Sequence, residues 1–325
     1  MDEWHVYRGS GAPHDGIQSL PPPPPWRTFE ARSPFYEPDL AGTIQGPAAS
    51  RADRYIADRS TVEMVNTALY LRRPLLVTGM PGSGKTALAY AVAHELKLGP
   101  VLRWPVTSRS TLAAALYHYD AVGRLEGAQL EGAGNIGRYL RLGPLGTALL
   151  PTRRPRVLLV DELDKSDIDL PNDLLEIFEE GRFEIPELVR LEELAEVAVG
   201  TADGATVATV RDGQVSCLAF PIVIMTSNGE RDFPPAFLRR CLRLELSPPS
   251  HERLNRIVAA HLGSALAQES EDLITMFLSR REVADLSTDQ LLNAVYMAAS
   301  LQVNGVLNRE QLAQSVLHRL GDPDL

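Results

Sequence analysis

Eight consecutive residues, Gly79-Met80-Pro81-Gly82-Ser83-Gly84-Lys85-Thr86, place three glycines, a lysine and a hydroxyl at the spacing G-x-x-x-x-G-K-[ST]. They follow the apolar run Leu75-Leu76-Val77 and precede an Ala- and Leu-rich helical pattern, the strand–loop–helix context of a phosphate-binding loop. Glycines let backbone N–H groups close around a polyphosphate, and a helix starting near Gly84 adds its positive dipole end. Lys85 would reach the β and γ phosphates, and Thr86 would offer its hydroxyl to Mg²⁺. Gly79, Pro81, Gly82, Ser83, Gly84, Lys85 and Thr86 are thus the expected contacts of ATP or GTP, against the alternative of a plain glycine turn.

A second constellation is Arg156-Val157-Leu158-Leu159-Val160-Asp161-Glu162, an all-apolar run ending in two carboxylates, as a strand buried on both faces reads. An acid at the C-terminal end of a parallel strand faces the nucleotide crevice, where Asp161 can hold the metal or its water. Glu162 points differently and can polarise an attacking water. The alternative is a strand that happens to end in an acidic turn.

Alternating strands and helices must position these groups. Val62, Val65, Ala68 and Leu69 share a helix face from Ser60, and Pro74 ends that helix before a strand at 75–78. The phosphate-loop helix should run to about Leu98, stopped by Gly99-Pro100. A strand at 101–106 leads into a Gly- and Tyr-rich stretch reaching about Gly146, long for a simple connection. Leu174, Leu175, Ile177 and Phe178 mark a helix, and an insert at about 181–220 holds a hairpin, 207–210 with 215–218, turning at Asp212-Gly213. A buried strand at 222–225 ends in Thr226-Ser227-Asn228. This order predicts an α/β fold, a parallel sheet with helices on both faces. After Pro248-Pro249 the period is helical: Ser250 caps one helix, Ser287-Thr288-Asp289-Gln290 is a capping box, and Asn308-Arg309-Glu310-Gln311 opens a last helix. The expected organisation is an arm over 1–50, an α/β domain over 51–247 and a small all-α domain over 248–325.

The arm holds nine of the 24 prolines, including Pro21 to Pro25. Trp4, Trp26, Phe29, Phe35 and Tyr36 could pin it to a folded surface, or it could be a free tail. At 44% hydrophobic the 325 residues can bury a substantial core. No apolar run reaches membrane-spanning length, and Met1-Asp2-Glu3-Trp4 is acidic where a signal peptide is basic, so a cytoplasmic location is expected. Cys217 and Cys241 lack metal-ligand spacing and read as packing residues. Of the net charge of −10, residues 161–196 carry −11, from 14 Asp and Glu against three Lys and Arg. That block is either a solvated acidic face or a surface ill-suited to nucleic acid.

Lys85, Asp161-Glu162, Asn228 and Arg239-Arg240 occur in the order and approximate spacing of an AAA+ ATPase core, the P-loop NTPase type with Walker A and Walker B motifs and a helical lid, and the chain resembles that family over about residues 50–325. Gly143-Pro144-Leu145, the hairpin insert and Phe233-Pro234-Pro235-Ala236-Phe237-Leu238-Arg239-Arg240 make it most similar to the MoxR-type branch. The resemblance implies ATP with Mg²⁺ bound at Thr86 and Asp161, and Asn228 at the sensor-1 position, orienting water with Glu162. It also implies Arg239 or Arg240 as an arginine finger entering a neighbouring subunit, so that hydrolysis needs a ring, hexameric by analogy; the alternative is a surface pair near the acidic block. One departure stands out: where MoxR-like lids carry a sensor-2 arginine, this chain has Ser287-Thr288-Asp289, with Arg280 or Arg281 as nearby substitutes.

The leading expectation is an oligomeric ATPase that remodels or matures a protein client, for which such family members often work with a von Willebrand factor A domain protein. Residues 117–120 would be a substrate-facing loop, unless their aromatics simply pack. The alternatives are a nucleotide-gated scaffold of a bacterial stress or conflict system and a nucleic-acid motor or loader.

Overall fold

The computed structural model describes residues 4–38, 52–131, 135–191, 196–204, 207–281 and 286–302. The capping sequence at 308–311 lies outside them.

Five strands, β1 (Leu75–Gly79), β2 (Leu102–Pro105), β5 (Val157–Asp161), β10 (Ile222–Ser227) and β11 (Leu242–Leu246), form a parallel sheet in the order β11-β1-β10-β5-β2. Every residue of β5 and β10 is buried, which is why both read as unbroken apolar runs. Period-2 alternation divides them between two cores. Val157, Leu159, Ile222 and Ile224 pack with α1 (Arg59–Leu71) and α2 (Lys85–Glu95), while Leu158, Val160, Val223 and Met225 pack on the opposite side with α6 (Leu170–Glu180). Each such Val or Leu contributes roughly 1.5–3 kcal/mol of burial. Asp58 caps α1, its carboxylate accepting the Thr61 N–H. The phosphate-loop helix α2 ends at Glu95, earlier than expected, because Lys97 and Gly99 adopt positive φ.

The insert is more extensive than a hairpin. It joins the segment before β5 in a six-stranded sheet of order β3-β4-β7-β8-β9-β6: β3 (Tyr117–Tyr119), β4 (Leu140–Leu142), β6 (Arg182–Glu184), β7 (Glu196–Gly200), β8 (Val207–Arg211) and β9 (Gln214–Ser216). Asp212 and Gly213, at φ 52° and 67°, make the two-residue β8–β9 turn, as the sequence predicts. Residues 117–119 are therefore a strand rather than a loop. Tyr117 and Tyr119 pack on the main core, and the Tyr117 hydroxyl donates to Glu187 at 2.8 Å. The fully buried Arg156 at the foot of β5 pairs with Asp203 of the insert at 2.7 Å, and the Tyr36 hydroxyl donates to the same carboxylate at 3.0 Å. Burial alone would raise the Asp203 pKa. The Thr201 hydroxyl, Arg156 and Tyr36 outweigh it and hold the carboxyl below its usual value.

Residues 4–38 are bound to the body by three of the five aromatics that the sequence singles out, Trp4 against Tyr70, Phe29 and Tyr36, and by further contacts. Val6, Tyr7, Ile17 and Tyr36 are buried, and Phe29 stacks on Phe220, whereas Trp26 and Phe35 remain 79% and 54% exposed. The buried Glu95 carboxylate, at the end of α2, accepts four successive backbone N–H groups, from Arg8, Gly9, Ser10 and Gly11, at 2.5, 3.1, 2.6 and 2.9 Å. Positive φ at Gly9 and Gly11 curls these amides into a cradle around it.

The C-terminal described elements are helical: α9 (His251–Leu262), α10 (Ser264–Glu269), α11 (Glu271–Arg281) and α12 (Thr288–Gln302), with a core of their own around Leu254, Ile274, Phe277 and Leu291. Ser250 accepts from Arg253 N–H, and Ser287 and Gln290 make the reciprocal bonds of a capping box. Among the described residues no helix is long and apolar enough to cross a membrane.

Candidate nucleotide site

A cavity of about 730 Å³ opens where β1, β5 and β10 end, with α9 and the start of α12 on its far wall. Pro81, Gly82, Ser83, Gly84, Lys85 and Thr86 line it, together with Asp161, Glu162 and Asn228. Residues spread over some 150 positions thus meet because three parallel strands finish at one edge of the sheet.

Backbone conformation makes the loop. Gly79, Gly82 and Gly84 have φ of 147°, 73° and 93°, and a Cβ on Gly79 would stand 2.7 Å from the Leu246 carbonyl oxygen. A Cβ on Gly82 would stand 2.4 Å from that of Ser287, so the loop tip touches the residue that caps α12. The Lys85 ammonium donates to the Gly79 and Met80 carbonyls at 2.7 and 2.8 Å. Burial pulls its pKa below the ordinary lysine value, against the opposing pull of Asp164, Asp161 and Glu162.

Asp161 is the centre of the polar network. Its Oδ1 accepts from the hydroxyls of Thr86 and Thr226, both at 2.9 Å, and its Oδ2 accepts from Arg103 Nε and Nη2 at 3.1 and 2.7 Å. Thr226 Oγ1 also accepts the Glu162 N–H at 2.8 Å, tying β10 to the end of β5. Glu162 has φ 62°, a left-handed conformation that turns it away from the strand direction, and its carboxylate pairs with Lys165 at 3.0 Å. The Asn228 N–H donates to Asp164 Oδ2 at 2.8 Å, which fixes the loop carrying the Asn228 side chain. Thr86 and Asp161 supply one hydroxyl and one carboxylate beside a cradle of amides, a donor set that fits Mg²⁺, whose other ligands are commonly substrate phosphates and water.

Arg239 and Arg240 lie elsewhere, at the end of α8 (Pro235–Arg240), and do not line the cavity. Arg240 pairs with Glu179 of the acidic segment at 3.0 Å, and Arg239 is exposed. Arg280 does not line the cavity either; the cations that join Lys85 there are Arg54, Arg103 and Arg253. Arg253 reaches from α9 to Asp58 at 3.1 Å and to the Ile56 carbonyl at 3.0 Å, and Arg54 donates to the His261 carbonyl at 3.3 Å. Sequence reasoning missed all three. Arg103 reads as the solvent side of an alternating strand, and Arg54 and Arg253 belong to segments without a motif.

A comparison with curated proteins finds no match. The family model described as AAA domain, dynein-related subfamily, matches residues 74–241, more than half of the 325. That stretch begins at the foot of β1 and runs past α8, so it takes in the phosphate loop, the Asp161 strand, Asn228 and the arginine pair: the chain belongs to the AAA family of ATPases.

Proposed function

We propose that the protein is a ring-forming, MoxR-like AAA+ ATPase that couples ATP binding and hydrolysis to the remodelling or maturation of a protein client, with a von Willebrand factor A domain protein as the candidate partner. The observation that carries the ATPase part is the Thr86–Asp161–Thr226 hydroxyl–carboxylate network, with the Glu162 N–H bonded into it at the mouth of the loop. The loop amides and Lys85 bind and orient the triphosphate. Mg²⁺ held by Thr86 and Asp161 would neutralise phosphate charge. Glu162 takes the proton of the attacking water, and Asn228 orients that water. Arg239 or Arg240, remote from its own cavity, serves a neighbour's, which makes turnover a property of the ring.

The test is ATPase rate against protein concentration, for wild type and for Arg239→Ala/Arg240→Ala, with assembly followed by light scattering. The expected result is a steep rise that coincides with assembly and is lost in the variant, while nucleotide binding survives. Activity that persists in the variant overturns the trans-acting arginine. A second reading, a nucleotide-gated scaffold, is favoured by the Glu162–Lys165 ion pair and by Asp289, an acid lining the cavity. Tight ATP binding with negligible turnover at every concentration selects it.

A further inference from the structure

A second cavity, of about 460 Å³, lies at the opposite edge of the central sheet, where β1, β5 and β10 begin. The docked N-terminal segment forms one wall, through Ile17 and Leu20, and the floor is apolar, from Leu69, Phe220 and Ile222. Five arginines line it: Arg27, Arg72, Arg73, Arg153 and Arg154, with no aspartate or glutamate among the lining residues. The five arginines make this cavity a local concentration of positive charge.

The arginines differ in how their charge is met. Arg27 lies 3.7 Å from Glu179 and Arg154 lies 3.7 Å from Asp15. Arg72 donates to the carbonyls of Leu69, Tyr70 and Pro21, which orient its guanidinium without neutralising it. Arg153 lies over the Phe35 ring at 5.6 Å. The Arg73 N–H donates to the Ala68 carbonyl at 3.2 Å, and its guanidinium has no hydrogen bond or ion pair among the described residues. Arg72, Arg73 and Arg153 therefore leave three positive charges without a carboxylate, over an apolar floor, in a volume typical of small-molecule sites.

We propose that this cavity binds a small phosphorylated ligand with an apolar or aromatic body, its phosphate held by Arg72, Arg73 and Arg153 and its body on Leu69, Phe220 and Ile222. Guanidinium forks match phosphate oxygens in pairs, and a dianion removes most of the local charge excess. The floor gives a bare inorganic anion nothing to hold. The phosphate loop takes no part, since it lies at the other ends of the same strands.

The test is calorimetric titration of the full chain with 1-naphthyl phosphate and, separately, inorganic phosphate. Wild type, Lys85→Ala and Arg73→Ala/Arg153→Ala are compared, and ADP binding to the double variant reports that it is folded. The expected result is one 1-naphthyl phosphate site per chain, unchanged in Lys85→Ala, weakened at least tenfold in the double variant, and at least tenfold weaker for inorganic phosphate. Loss in Lys85→Ala would assign the probe to the phosphate loop and overturn the proposal. So would equal affinity for the two anions, an unchanged double variant, or no saturable binding. If the double variant abolishes self-assembly and no probe binds, the cavity belongs to an acidic segment of a neighbouring copy, which also overturns the small-ligand reading.

Discussion

Asp161 divides its two oxygens between different tasks: Oδ1 holds hydroxyls from the loop helix and β10, and Oδ2 holds Arg103. That ion pair places a fixed cation beside the oxygens suited to Mg²⁺. Arg103→Ala is expected to weaken metal-free ADP binding by about fivefold, roughly 1 kcal/mol for one half-exposed charged contact, and to change binding at saturating Mg²⁺ by less than about twofold. Equal losses in titrations with and without Mg²⁺ would remove Arg103 from the phosphate side. The loop was legible in the sequence because its chemistry forces contiguity, eight successive residues to close around a polyphosphate. Arg103 was not, because its role depends on β2 lying beside β5 across 51 intervening residues. The cysteines were legible as packing residues, and burial pushes both thiols up to about 12. The folded chain thus keeps two protons that the unfolded chain releases near pH 9. The resulting stability is fully present below pH 9 and is lost as pH rises toward 12. A melting temperature that falls above pH 9, and negligible reaction with a thiol reagent at pH 8 until urea is added, would be the signature; prompt labelling of either thiol in the native protein would contradict it.

Between elements, the Arg156–Asp203 pair joins the foot of β5 to the six-stranded sheet, and Tyr36 brings the N-terminal segment to the same carboxylate. Asp203→Ala would leave the Arg156 guanidinium buried without its counter-ion. We expect a loss of about 3–5 kcal/mol, read as a lower urea midpoint with an unchanged slope. A loss below about 1 kcal/mol would mean that water replaces the carboxylate. The central strands were visible in the sequence because two-sided burial demands unbroken Val, Ile and Leu in β5 and β10. The second sheet was only partly visible. β8 and β9 announce themselves through Asp212-Gly213, but β3, β4 and β6 are three residues each, too short for alternation to register.

At the scale of the whole molecule, the loop tip and the cap of α12 meet at Gly82 and Ser287. Gly82→Ala combines an unfavourable φ of 73° with a Cβ 2.4 Å from that of Ser287, so the loop and α12 cannot keep their present separation. ADP affinity should fall about tenfold or more, while the same variant unfolds near the wild-type urea concentration. Unchanged affinity would show that the helices move aside freely. The N-terminal segment was legible in part: its aromatics Phe29 and Tyr36 do pin it, but the fold of residues 8–11 was not legible, because it forms around one carboxylate more than 80 residues away. That carboxylate closes α2, whose first residue is Lys85. Eleven residues make a rod about 16 Å long, packed along its length by Leu88, Ala89 and Val92, and such a rod shifts as one piece. A phosphate bound at the loop would hold one end while residues 8–11 hold the other, so the N-terminal segment is a pointer fixed to the axle of the candidate site: a dye on it is expected to report loading without entering the cavity.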